Sequence, residues 1–181
     1  MLTKPRIYVA CLAAYNSGKL HGRWMDAARA AEEINADIRD MLRRSPVMGA
    51  EEWAIHDYEG FCELHLGEYE NVEEVAALAS AIEKHGEAVA HYIDNRGRDY
   101  VDLGTLEADF EDAFVGQYAS PREFAEETVE DLGFGRLTTE QLEGIWGFLD
   151  WDHLAHELTI TDYWCAEARE LGGGVYVFRR D

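Results

Sequence analysis

The amino-acid sequence predicts an α+β protein made of three small modules that abut along an extended body. Short apolar runs typical of strands alternate with segments whose apolar residues recur every three or four positions, as in amphipathic helices. A length of 181 residues suits one large domain or a few small ones in series. No long proline- or serine-rich linker interrupts the chain, so the modules are expected to pack directly against their neighbours.

The first predicted module, residues 1–66, is a small sheet with one helix. Residues 6–12 are typical of a buried strand, residues 27–42 of an amphipathic helix and residues 52–58 of a half-exposed strand, an order that predicts a βαβ-type start. Trp24 follows a predicted loop and could bind a partner, but we favour a position in the core.

The second predicted module, residues 67–100, is mostly helical. Helices are expected over residues 72–83 and 87–96, with a break at Gly86. The third module, residues 101–181, combines helices with strands at 114–118, 162–166 and 175–179. Three consecutive glycines at 172–174 predict the turn before its last strand.

Several helices are predicted in the third module from buried stripes and capping residues. Ser120 and Pro121 are typical of a helix start, and Gly133 of its end. A further helix is expected to open at Thr139, and another at Asp150. The residues expected to face inward along these helices are Leu103, Leu106, Phe110, Phe114, Phe124, Thr128, Val129, Leu132, Ile145, Trp146, Leu149, Leu154 and Leu158.

The negative charge is concentrated in one part of the chain. The sequence holds 37 acidic and 16 basic residues, a formal net charge of −21. Residues 99–165 contain 17 of the acids but only Arg122 and Arg136 as cations, so these 67 residues carry −15 of that charge. Solubility or adaptation to high salt would explain an overall excess, but not its confinement to one stretch.

We therefore predict an ordered acidic surface that presents carboxylates where a DNA-binding partner expects phosphates. Acids three or four positions apart on a helix lie about 5–6 Å from one another, a spacing similar to that of backbone phosphates. Direct binding to DNA or to an anionic membrane is disfavoured, because both are polyanions. The predicted acidic surface consists of Asp109, Glu111, Asp112, Glu123, Glu126, Glu127, Glu130, Asp131, Glu140, Glu143, Asp150, Asp152 and Glu157.

The remaining composition favours a cytoplasmic protein without a cofactor. No apolar window is long enough to span a membrane, and the N-terminus lacks the apolar core of a signal peptide. Cys11, Cys62 and Cys165 are odd in number and far apart, which predicts free thiols that act as small core residues.

Two other functions stay open at this point. His153 and His156, with nearby carboxylates, could form a metal-dependent or acid–base site, although their spacing matches neither common zinc-protease pattern. No convincing catalytic constellation is present, so we do not expect an enzyme. The chain could also be a generic acidic interaction protein that binds another basic partner.

Runs in three regions of the chain, in order along nearly its whole length, resemble the ArdA-type antirestriction proteins. The runs are PRIYVA at 5–10 followed by YNSGKLHGRW at 15–24, then AFVGQY at 113–118 with Ser120 and the EFA run at 123–125, and FLDWDHLAHEL at 148–158. The LHGRW run and the aspartate–aromatic–acid helix are together fairly specific.

The resemblance implies a function and an assembly. Such proteins are carried by mobile elements and inhibit type I restriction–modification enzymes, through their methyltransferase core, by mimicking DNA. The resemblance also implies an elongated three-module fold and a homodimer that imitates a bent duplex. An apolar centre is expected for the dimer surface, and the aromatics around Trp146 and Trp151 are its candidates.

Overall fold

The computed structural model describes residues 3–131, 144–169 and 172–180. These residues form helices and two three-stranded antiparallel sheets, which confirms the α+β class. The elements in chain order are β1 (Arg6–Cys11), α1 (Leu12–Asn16), β2 (Gly22–Asp26), α2 (Ala31–Arg43), β3 (Trp53–Glu59), α3 (Val72–His85), α4 (Glu87–Arg96), a 3₁₀ turn (Arg98–Tyr100), α5 (Leu106–Ala113), β4 (Phe114–Tyr118), α6 (Pro121–Asp131), α7 (Trp151–Thr161), β5 (Tyr163–Glu167) and β6 (Val175–Arg179).

The chain separates into two compact units, Met1–Glu107 and Ala108–Asp181, with the boundary inside α5. The first unit contains the sheet of β1 to β3, and the second contains the sheet of β4 to β6. The finer division into modules at 1–66, 67–100 and 101–181 stays a prediction.

In the first unit, β1 is the central strand of a sheet with the order β2-β1-β3. Ile7 and Val9 are fully buried, and α2 packs on this sheet through a buried stripe that includes Ile34, Ile38 and Met41. Side chains that alternate between the two faces of β1 and recur every three to four positions on α2 therefore build a shared core.

The predicted βαβ-type start is wrong. β1 and β3 are antiparallel, and an additional strand, β2, pairs with β1 on its other side. Helix α2 therefore connects β2 and β3 across the central strand. Strand β2 was not predicted because it lacks the alternation of apolar and polar residues typical of a strand. Of its five residues, only Met25 is fully buried.

The favoured prediction that Trp24 lies in the core is also wrong. Its side chain is 36% exposed, with its ring 5.6 Å from that of Tyr8 and 4.8 Å from the guanidinium of Arg6. Gly22 allows this arrangement, because a Cβ there would lie 2.5 Å from the carbonyl oxygen of Val9 and 2.9 Å from the Tyr8 ring.

Helices α3 and α4 complete the first unit, and the predicted break at Gly86 is confirmed.

The 3₁₀ turn that follows α4 is connected to the loop after β3 through Arg98. This side chain donates two hydrogen bonds, of 2.9 and 2.8 Å, to the carboxylate of Glu70. The Glu70 carboxylate also accepts from the Gly67 N–H at 2.8 Å. Although burial alone would raise the pKa of Glu70, the hydrogen bonds from Arg98 and Gly67 and the Arg98 charge lower it.

In the second unit the strand order is β4-β6-β5, and all neighbouring strands are antiparallel. β4 and β6 occupy the predicted ranges, and β5 is displaced from its predicted range by one residue. Phe178 on the central strand is fully buried and stacks on Trp164 at 4.1 Å, with Phe110 and Phe114 also against it. This aromatic cluster joins α5 to the sheet.

Other predictions for the second unit have mixed outcomes. α6 begins at Pro121 and α7 at Trp151, as expected, but Ile145 is 44% exposed and does not face inward. The helix expected to open at Thr139, together with Leu132 and Gly133, lies largely or wholly outside the described residues. Trp151 is buried, so it is not an exposed aromatic at a dimer surface.

The three cysteines are free thiols, but they do not share the expected core position. Cys11 is buried and Cys165 is half-buried, and burial raises the pKa of the Cys165 thiol. Cys62 is exposed, with a φ of 53° in the turn after β3. The core assignment is therefore wrong for Cys62.

Replacement of Gly174 by alanine is expected to destabilise the second unit strongly. Gly174 has a φ of 96°, and a Cβ at this position would overlap the Tyr118 carbonyl oxygen. Gly172, with a φ of 99° and no atom within 4 Å of such a Cβ, is the matched control. In denaturant unfolding, Gly174→Ala should cost about 3 kcal/mol or more and Gly172→Ala about 1–2 kcal/mol. Equal costs would contradict the steric argument.

Replacement of Arg98 by glutamine should lower the free energy of unfolding by about 1–3 kcal/mol at neutral pH, because Glu70 loses two charged hydrogen bonds. Since the pKa of Glu70 is lowered by folding, its stabilisation is present above the ordinary carboxyl pKa and is lost as pH falls through the lowered value. The difference between wild type and variant should therefore shrink in acid. A difference that does not change with pH, measured by urea unfolding, would refute this assignment.

Candidate functional site

The acidic residues are distributed differently in the two units. Residues 1–107 contain 20 acidic and 11 basic side chains, a net charge of −9, whereas residues 108–181 contain 17 acidic and 5 basic side chains, a net charge of −12. The second unit has 74 residues, so it has the higher charge per residue. Its helices α5, α6 and α7 carry most of the predicted acidic surface.

Helix α5 presents its carboxylates to solvent. Asp109, Glu111 and Asp112 are exposed, whereas Phe110 is 2% exposed. The Phe110 ring stacks on Phe114 at 5.1 Å, with 15° between the ring planes. Because this contact fixes one face of the helix in the core, the opposite face must point outward.

Helix α6 has the same division between a buried and an acidic face. Phe124 and Val129 are buried, with the Phe124 ring 4.8 Å from Tyr163 in an edge-to-face contact. The carboxylates of this helix are outward, with Glu123, Glu127 and Glu130 exposed and Glu126 half-buried. The side chain of Asp131 is outside the described residues.

Glu123 also takes part in the start of α6. Its N–H donates to the Ser120 hydroxyl oxygen at 3.2 Å, and its carboxylate accepts from the Ala119 N–H. The first bond satisfies an amide group that the first helical turn leaves without an intrahelical partner, and the second ties the residue before Ser120 to the helix. Glu123 is therefore a structural residue as well as a member of the acidic surface.

Helix α7 contributes three members of the predicted surface. Asp150 is its N-cap and accepts from the His153 N–H at 3.0 Å, and Asp152 and Glu157 are exposed. Trp151 anchors the helix, with its ring 4.7 Å from Trp146 and its indole N–H donating to the Trp146 carbonyl oxygen at 3.1 Å. Glu140 and Glu143 lie outside the described residues.

In the first unit, many cations are paired with carboxylates. Lys4 lies 2.9 Å from Glu83, and the other pairs follow the same pattern. The basic residues of these pairs are Lys4, Arg6, Arg23, Arg29, Arg43, Arg44, Lys84 and Arg98. The excess of acids in this unit is therefore partly compensated.

The described cations of the second unit neutralise fewer carboxylates. Arg179 donates to the carbonyl oxygen of Asp112, and Arg180 donates to those of Tyr163 and Thr159. These contacts complement the negative ends of α5 and α7. Arg122 pairs with Glu126 at 2.8 Å, and Arg169 lies 3.8 Å from Glu167.

Several carboxylates consequently have no ion-pair partner among the described residues. Glu127, Glu130 and Glu157 form no ion pair with any residue in the described ranges. Fixed charges of one sign on packed helices create a negative potential that extends into solvent. Chemically, this surface can attract a positively charged partner.

The histidine alternative gains no support from the arrangement of donors. His153 and His156 are both exposed on α7. Within the described ranges, no group of three potential ligand side chains that includes either histidine lies close enough together to bind one metal ion.

Two exposed apolar residues lie next to the acidic helices, and one of them is an aromatic in the region around Trp146 and Trp151 that was predicted to supply a dimer surface. Phe148 is 91% exposed and Ile145 is 44% exposed, just before the N-cap of α7. The helical spacing of apolar residues predicts that Ile145 faces inward. The sequence does not distinguish an apolar side chain that packs in the core from one that packs against a partner.

No helix within the described ranges is long and apolar enough to cross a membrane.

Comparison with known proteins identifies the family. A family model described as "Antirestriction protein (ArdA)" matches residues 7–168 of the 181. A search of the curated proteins gives no match. Since the family model covers most of the sequence and extends over the larger part of each unit, the chain belongs to the ArdA family of antirestriction proteins.

Proposed function

We propose that this antirestriction protein mimics duplex DNA and competitively occupies the DNA-binding groove of type I restriction–modification enzymes, in their methyltransferase core. One observation supports this proposal above the others. The described carboxylates of α5, α6 and α7 point outward, and Glu127, Glu130 and Glu157 of α6 and α7 form no ion pair with a described residue.

Electrostatics supplies both the attraction and the lack of sequence preference. Duplex DNA carries about one negative charge per 1.7 Å of helix axis, and lysines and arginines that line the binding groove contact these charges. Carboxylates on rigid helices offer charge to the same residues but no base edges to read. Binding is therefore independent of the enzyme's recognition sequence, fast at low salt, and weaker as salt screens the charges.

The mechanism requires occlusion and no chemical step. An inhibitor that fills the groove excludes DNA for as long as it stays bound, so its effect is set by affinity and residence time. The proposal places the protein in the cytoplasm together with its target.

We further propose that the protein acts as a homodimer with Phe148 and Ile145 near the apolar centre of the interface. Phe148 is almost completely exposed beside a strongly charged surface. Exposure of its apolar ring to water contributes nothing to the stability of the protomer. Burial of such side chains in a self-complementary contact would offset the repulsion between two acidic protomers.

Neutralisation of four exposed acids on α6 and α7 should weaken competition with DNA. The variant Glu127→Gln, Glu130→Gln, Asp152→Asn, Glu157→Gln removes four charges without touching the capping residues. At low salt, about 10- to 100-fold more protein should be needed to displace duplex DNA from a purified type I methyltransferase core. Fluorescence anisotropy of labelled DNA measures this displacement.

A matched control removes the same charge from the first unit. Glu33, Glu51, Glu68 and Asp94 are exposed there, and none forms an ion pair with a described residue. Their amide variant should lose much less competition. If both variants lose equally, net charge alone explains binding, and if neither loses any, the DNA-mimicry proposal is wrong.

Replacement of Phe148 by serine should weaken the proposed dimer. Removal of a buried phenyl ring from each protomer should raise the dimer dissociation constant by about 10-fold or more, measured by analytical ultracentrifugation. Tyr69→Ser is the control, because Tyr69 is 76% exposed in the first unit. An unchanged dimer in the Phe148 variant would exclude this residue from the interface.

A further inference from the structure

Arg122 occupies a position that local helix preferences disfavour. It is the second residue of α6, where the partial positive charge of the helix terminus repels a cation. It also precedes its partner Glu126 by four residues, and this order of charges supports a helix less well than the reverse. A residue that served only α6 would be acidic or neutral at this position.

The surroundings of Arg122 supply a different reason for a cation. Its Nε donates to Glu126 at 2.8 Å, and Glu123 and Glu127 lie on the same helix. Helix α7 packs against α6 in the most extensive contact between helices of the described ranges. Asp152 lies in the first turn of α7, and its charge contributes to the raised pKa of Arg122.

The hydrogen bond with Glu126 is the largest influence on the guanidinium. It raises the pKa of Arg122. Desolvation opposes this rise and is the next largest influence, and the charges of Glu126 and Asp152 add smaller contributions that raise the pKa. Arg122 therefore forms an ion pair with Glu126 on its own helix, and the charge of Asp152 on α7 acts on it more weakly.

We propose that Arg122 relieves the repulsion between the carboxylates of α6 and α7, and that this relief lowers the affinity of the acidic surface for its basic partner. Arg122 is thus a positioning residue that stabilises the packed pair of helices. The binding half of this inference rests on the proposed function, whereas the stability half does not.

The two effects of Arg122 have opposite signs and one origin. A cation between carboxylates lowers their mutual repulsion, and it presents one positive charge to a partner that is itself positive. Salt screens both interactions because Arg122 is half exposed. A change at this position should therefore alter stability and affinity in opposite directions, and both changes should vanish at high salt.

The variant Arg122→Gln separates these effects. At low salt, amide hydrogen exchange in α6 and α7 should be faster and the melting temperature lower by about 1–3 °C. Competition with duplex DNA for a type I methyltransferase core should improve by about two- to fivefold between wild type and variant, with a steeper dependence on salt. At about 1 M salt both differences should disappear.

Two controls identify the cause. Arg122→Lys keeps the charge and should stay close to wild type in exchange, melting and competition. Lys19→Gln removes a cation from the first unit and should leave exchange in α6 and α7 unchanged.

The possible failures are distinguishable. If wild type does not compete with DNA, the proposed function is wrong, while the exchange measurements still test the stability half. If wild type competes but Arg122→Gln competes equally or less well, the inference is overturned and the proposed function stands. Unchanged exchange of α6 and α7 at low salt would overturn the stability half.

Discussion

The second unit depends on an aromatic core that holds together helices whose exposed faces repel one another. Phe178 on the central strand contacts Phe110, Phe114 and Trp164, and Phe124 joins α6 to the same sheet through Tyr163. Burial of one phenylalanine contributes about 1.5–3 kcal/mol. Like charges one helical turn apart cost only about 0.2–0.5 kcal/mol per pair. A few buried rings can therefore offset several repelling pairs, so the unit tolerates a surface that stability alone would not select.

The placement of the cations preserves that surface. In the first unit, arginines and lysines pair with carboxylates, as in many proteins. In the second unit, Arg179 and Arg180 instead bind main-chain carbonyls, at the C-terminal end of α5 and beside that of α7. The same positive charges thus stabilise helix termini without neutralising the acids on the helix faces. Arg122 is the described exception on α6, and this gives it a distinct effect on the field.

Local signals predicted most elements but not the way in which they meet. Pro121 and Asp150 predicted the starts of α6 and α7, because capping depends only on residues close in sequence. Short runs of β-branched and aromatic residues predicted β4 and β6. Strand β2 was not predicted because its residues show no apolar alternation, and the βαβ-type prediction failed because β3 runs antiparallel to β1. The outward acids of the site followed from helical periodicity. The hydrogen-bond partners of Arg179 and Arg180 lie far away in sequence, so they could not be predicted from residue spacing.

A folded acidic surface differs physically from an acidic tail of equal charge. A disordered tail must lose conformational entropy for every residue that it fixes on a partner, and this loss reduces its affinity. Here the core and the caps have already fixed the helices that carry the carboxylates, so the proposed partner meets an arrangement that needs little ordering. Because the attraction is divided among many acids, no single carboxylate has to match one phosphate. Affinity for the partner then depends on the summed electrostatic field of α5, α6 and α7. The position of any one acid affects this affinity less than the rigidity of the helices that carry the acids.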